Sequence, residues 1–137
     1  MTANTEDRRA SLIELGPAEI MNFVASQDQR LKILVFTIPK CEPCVSLMSV
    51  IGDIISSDQN AKIASAYIDA SKLGAQEFDD LAIRHFPTLY LFDHMNCLAI
   101  RKGWTPALYK NPGEKLRQWI SKKSGEQLGS IGGVEGC

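Results

Sequence analysis

Apolar and polar positions divide the chain into short segments of alternating type. Lys32 to Ile38 reads KILVFTI, a near-continuous β-branched run of the kind a strand buried on both faces requires. It stops at Pro39, and a helical period follows from Pro43. Leu47, Met48, Ile51, Ile54 and Ile55 share one face to about Ser57, with Cys44 one turn earlier on the same side. Lys62 to Ile68 (KIASAYI) reads as a second central strand ending at Asp69. Ser71 is placed to cap a helix whose stripe is Phe78, Leu81 and Ala82 and which stops before Pro87. Thr88 to Phe92 (TLYLF) and Cys97 to Lys102 (CLAIRK) flank a hairpin turn at Asp93-His94-Met95-Asn96. Gly103 ends the second of these strands, a loop follows over 104–111, and Leu116, Trp119 and Ile120 define a last helix after Pro112-Gly113. At the start, Ser11 to Leu15 fits a short strand, and Pro17 opens a helix with Ile20, Phe23 and Val24 to about Ser26.

The resulting order is β-α-β-α-β-α-β-β-α. Its early alternation predicts parallel strands joined by crossover helices, and its late strand pair an antiparallel hairpin at one edge. Residues 1–10 are expected to be disordered, 11–123 to form one domain, and the Gly- and Ser-rich stretch 124–137 to be a flexible tail.

The 137 residues suffice for one hydrophobic core, and 45% apolar with 23% charged residues is ordinary for a globular protein. A formal net charge of −1 removes the whole-chain electrostatic case for nucleic acid or an acidic membrane surface. The longest apolar run falls far short of a membrane span. The first residues, MTANTEDRRASL, lack the apolar stretch of a secretory signal and carry acids that transit peptides avoid. A cytoplasmic, reducing setting is therefore expected, and the chain is expected to be a monomer.

Cysteine usage changes the picture. Cys41, Cys44, Cys97 and Cys137 are too few for a disulfide-stapled scaffold, and a close pair in a reducing compartment points to catalysis or metal. Cys41 falls where a buried strand feeds a helix. Orphan N–H groups and partial positive charge at a helix start favour the reactive thiolate. Lys40 adds to this and Glu42 opposes it. Two intervening residues put Cys44 one turn on, so that Cys41 attacks a substrate disulfide and Cys44 resolves the mixed disulfide. Pro43 suits the first turn, where its missing N–H costs little. Zinc sites use the same spacing, and His94-x-x-Cys97 offers two further ligands. Against this, five strand residues separate that turn from Pro87, or about 17 Å. His85 and His94 read as surface residues, Cys97 as a small apolar strand residue, and Cys137 as an incidental tail thiol. Lys122-Lys123 suits a helix end. Trp104 reads equally as core or as groove.

KILVFTI, Cys-Glu-Pro-Cys with its helix, Tyr67-Ile68-Asp69, Phe86-Pro87-Thr88 before TLYLF, and Gly103 together resemble the thioredoxin family over residues 11–123. The resemblance implies an α/β thioredoxin fold: a central mixed sheet of three parallel strands plus an antiparallel hairpin, flanked by four helices. It implies a cis Phe86–Pro87 bond, with Pro87 packed against the dithiol, discouraging metal capture, and Phe86 backbone pairing with substrate. It places Lys40, Glu42, Pro43 and Trp104 around the substrate groove, with Tyr109 shaping partner choice. Lys40 and Glu42 replace the tryptophan and glycine of Trp-Cys-Gly-Pro-Cys. Val35 stands where the family has a buried aspartate and Ser65 near its partner lysine.

The leading reading is thus a thiol–disulfide oxidoreductase that works as a reductant on protein disulfides without a bound cofactor or metal. Its electrons come from a thioredoxin reductase or another dithiol. A thioredoxin-fold adaptor with little turnover and a zinc-binding module are the alternatives.

Overall fold

A computed structural model describes residues 12–26, 31–57, 63–81 and 83–129. The disorder expected over 1–10, Ala82 in the helical stripe, and the end of the tail with Cys137 lie outside these residues.

The strands are β1 (Ile13–Glu14), β2 (Leu31–Thr37), β3 (Ile63–Asp69), β4 (Thr88–Asp93) and β5 (Asn96–Lys102). They form one sheet in the order β1-β3-β2-β4-β5. β1, β3 and β2 run parallel, while β4 lies antiparallel to β2 and to β5. This is the predicted mixed sheet.

The helices are α1 (Ile20–Ala25), α2 (Glu42–Ser57), α3 (Ala75–Leu81) and α4 (Pro112–Gly129). Alternation along each strand sends side chains to two separate cores. On one face Ile33, Val35, Leu89 and Leu91 pack with Leu47, Met48 and Ile51 of α2 and Leu116 and Ile120 of α4. On the other, Leu34, Phe36, Ala66 and Ile68 pack with Ile83 and the half-buried Phe23 and Phe78 of α1 and α3. The β2 run is buried on both faces because helices cover both.

Several boundaries differ from expectation. The first strand shrinks to Ile13–Glu14, with Leu12 and Leu15 buried on either side. A 3-10 turn, Pro17–Glu19, precedes α1, and the Glu19 carboxylate accepts from the Gly16 N–H. Ser71 caps no α-helix. Instead Asp69 caps a 3-10 turn, Ala70–Lys72, by accepting from the Ser71 N–H, and α3 begins at Ala75. α4 runs six residues beyond Lys123, where a flexible tail was expected. The Ser124 hydroxyl donates back to the carbonyls of Ile120 and Ser121, within hydrogen-bond reach inside the helix.

Candidate functional site

Parallel and antiparallel pairing bring four loops to one end of the sheet. Thr37 pairs with Asp69, Phe36 with Thr88, and Thr88 with Lys102. The chain therefore leaves β2 toward Cys41, leaves β3 after Asp69, enters β4 from Phe86-Pro87 and leaves β5 at Gly103, all on the same side. The Phe86–Pro87 bond is cis and Pro87 is fully buried. Gly103, at φ +82°, donates its N–H to the Pro87 carbonyl at 2.7 Å, tying the hairpin to this loop.

Between β2 and α2 the chain turns sharply at Lys40, whose φ of +59° lies in the left-handed region. Cys41 then serves as the helix N-cap. Its carbonyl accepts the Val45 N–H at 3.2 Å, and its Sγ accepts the Cys44 N–H at 3.2 Å. Sulfur here occupies the position that a serine or aspartate oxygen usually takes. Cys41 and Cys44 are disulfide-bonded, with Cα atoms 5.3 Å apart. Cys41 is half-buried, whereas Cys44 is 1% exposed because its side chain faces the Leu47–Met48–Ile51 stripe. An outside sulfur can therefore approach Cys41 but not Cys44. Lys40, Glu42 and Pro43 are exposed around the pair.

A groove of about 860 Å³ opens beside the disulfide, between the first turns of α2 and the ends of β1 and β3. Both cysteines line it, together with Thr37, Ile38, Val45 and Met48. Glu14, Tyr67 and Asp69 form the opposite wall, which the sequence reading did not identify. Period-two alternation places Tyr67 and Asp69 on the α2 face with Ser65, but the pairing of β1 to β3 that adds Glu14 is non-local. Two wall carboxylates are engaged. Glu14 accepts from the Tyr67 hydroxyl at 3.4 Å and pairs with Lys72 at 3.1 Å, and Asp69 accepts from both the N–H and the hydroxyl of Ser71. The hydrogen bond and charge of Glu14 hold the Lys72 ammonium above its usual pKa.

Val35 is wholly buried and Ser65 nearly so, which leaves the core beneath the dithiol without a charged pair at these positions. Trp104 belongs to the core. It is 4% exposed, and its indole N–H donates to the Ser46 hydroxyl at 3.0 Å, so it supports α2 from behind and offers no face to a partner. Phe86 is half-buried, edge-on to Phe78. His94, paired with Asp93, and Cys97, opposite Phe92, lie at the far end of the sheet from Cys41. The four zinc-ligand candidates do not converge. Among the described residues no helix is long and apolar enough to cross a membrane.

No protein-family profile matches the chain, and no curated protein matches it by sequence. Solved structures do. Thioredoxin f2 of Chlamydomonas reinhardtii is 18% identical with a TM-score of 0.65, over 81% of this chain and 94% of its own. Mitochondrial thioredoxin 3 of Saccharomyces cerevisiae, in its oxidized form, is 16% identical with a TM-score of 0.63, over 84% and 98%. Thioredoxin O2 of Arabidopsis thaliana, also oxidized, is 19% identical with a TM-score of 0.63, over 83% and 95%. The architecture of this chain is the thioredoxin fold, with a Cys-x-x-Cys disulfide at the mouth of its second helix.

Proposed function

We propose that the protein is a thiol–disulfide oxidoreductase that reduces protein disulfides through Cys41 and Cys44. One observation carries this reading: a disulfide at a helix start whose first sulfur is reachable and whose second is buried behind it. That asymmetry orders the chemistry. The Cys41 thiolate, favoured by the α2 N-terminus, attacks one sulfur of a substrate disulfide and expels the other as a thiolate. Cys44 then loses its proton and attacks the Cys41 sulfur, closing the intramolecular disulfide and releasing the second substrate thiolate. Two electrons pass to the substrate, and a reductase or another dithiol restores the pair. Valine at position 35 offers no carboxylate to take the Cys44 proton, which leaves to solvent through the groove that both cysteines line.

Lys40, Glu42 and Pro43 meet the substrate on one side of the pair, and the Phe86-Pro87 loop on the other. Trp104 acts on the dithiol through Ser46 and α2. The expected setting is cytoplasmic and the expected state a monomer.

The test is insulin reduction with dithiothreitol or with NADPH and a thioredoxin reductase. Turnover is expected, abolished by Cys41→Ser. Cys44→Ser is expected to accumulate a mixed disulfide that Cys41→Ser does not form. Absence of turnover by the intact protein with either donor overturns the reading and leaves the adaptor alternative.

A further inference from the structure

On the opposite flank of α4 from α2, a second cavity has no part in the dithiol chemistry. It measures about 220 Å³ and lies between β5 and α4, lined by Arg101, Tyr109, Lys115, Gln118, Trp119 and Lys122. Three of these six are cations, and among the described residues no carboxylate lines the cavity. Lys115 and Lys122 stand seven residues apart on one face of α4, so they bracket it at about 10 Å. Arg101 reaches in from the edge strand.

Arg101 is held in place by stacking. Its guanidinium carbon lies 5.6 Å from the Trp104 ring centre and 5.5 Å from that of Trp119. Its Nη2 donates to the Tyr109 hydroxyl at 3.1 Å, and its buried Nε has no hydrogen-bond partner. Guanidinium offers five donors, and one is engaged here. Tyr109 accepts that bond, which leaves its own O–H free to donate. Lys115 sits 5.6 Å above the Tyr109 ring. Among the described residues no carboxylate pairs with Arg101, Lys115 or Lys122. The nearby Glu114 turns instead to Arg117 and Gln118.

Three like charges around one cavity repel one another, and aromatic walls weaken the screening that water would provide. A bound anion relieves that repulsion. The guanidinium N–H groups that Tyr109 does not take can donate to a tetrahedral oxyanion, and two flanking ammonium groups balance a second negative charge. The volume equals that of about seven waters, enough for one phosphoryl group with part of its hydration. From these features we infer that the β5–α4 cavity is a binding site for a phosphate group, either the free ion or a phosphomonoester. It stands independently of the redox reading.

The protein's two tryptophans both flank Arg101, so their fluorescence reports on the site directly. The full chain is titrated with inorganic phosphate and separately with glycerol 3-phosphate, at ionic strength held constant with sodium chloride. A saturable change is expected with phosphate. Saturation by both probes assigns the site to the phosphoryl group of a larger ligand, and saturation by phosphate alone to the free ion. Lys115→Gln combined with Lys122→Gln alters only exposed or half-exposed helix positions and is expected to weaken binding by about tenfold or more. Lys110→Gln, outside the cavity, is expected to leave it unchanged. A response that follows ionic strength alone, or an affinity the double variant retains, overturns the proposal.

Discussion

Reducing the Cys41–Cys44 bond perturbs the folding equilibrium by an amount that can be worked out. The disulfide closes a loop of only four residues. Such a cross-link removes about 6 cal/mol/K from the unfolded chain, so the oxidised form gains about 1.9 kcal/mol at 25 °C by loop closure. An opposing effect acts on the reduced form. A Cys41 thiolate at the α2 N-terminus, accepting from the Cys44 N–H, stabilises the folded dithiol by about 1 kcal/mol. Loop closure is the larger effect, and the oxidised protein is expected to be the more stable by about 1 kcal/mol where the reduced sulfur is ionised, above the ordinary cysteine pKa of about 8.5. For a chain of this length that raises Tm by about 3 °C. In acid, where the sulfur is protonated and the helix terminus contributes nothing, the gap widens to about 6 °C. The assay is calorimetry of oxidised and reduced protein with Cys97 and Cys137 replaced by serine, so that a single pair responds. A reduced form as stable as the oxidised form above about pH 8.5 would refute the reasoning. It would mean that the helix start stabilises the thiolate more than loop closure stabilises the bond, which is the signature of an oxidant.

Other substitutions probe the parts that hold the site. Trp104→Ala removes a buried indole and its bond to Ser46 and should cost about 3–5 kcal/mol in urea unfolding; a loss below 1 kcal/mol would place the ring at the surface. Gly103→Ala should cost about 1 kcal/mol through its φ of +82° alone, since among the described residues no atom lies within 4 Å of the added Cβ; a neutral result would count against the left-handed geometry. Stability should fall with rising pH above about 10. Burial pushes the Tyr90 phenol up from 10.0, and Glu14 pushes Lys72 up from 10.5, so the unfolded chain releases both protons first. Urea midpoints followed from about pH 9 upward test this, and Glu14→Gln should remove the Lys72 part.

The β2 run, the α2 stripe and the β4–β5 hairpin were legible because each writes its burial into a local period or an unbroken apolar run. The dithiol was legible for the same reason: Cys41 and Cys44 sit in the sequence where strand becomes helix. Trp104 was not, because a single aromatic after a glycine carries no period, and its place depends on Ser46, 58 residues away. The Glu14–Tyr67–Asp69 wall depends on β1 lying beside β3, a register that no local pattern encodes. α4 outran its expected end because glycine and serine composition suggested a linker, whereas the Ser124 hydroxyl is satisfied within the helix by the carbonyls of Ile120 and Ser121 and leaves the backbone helical.

The sulfur that reacts is also the atom that closes the top of α2. A thiolate accepts a hydrogen bond more strongly than a disulfide sulfur does. The Cys44 amide is therefore held more tightly once the pair is reduced. Its exchange with solvent deuterium should slow on reduction, making this one backbone proton a built-in gauge of the redox state.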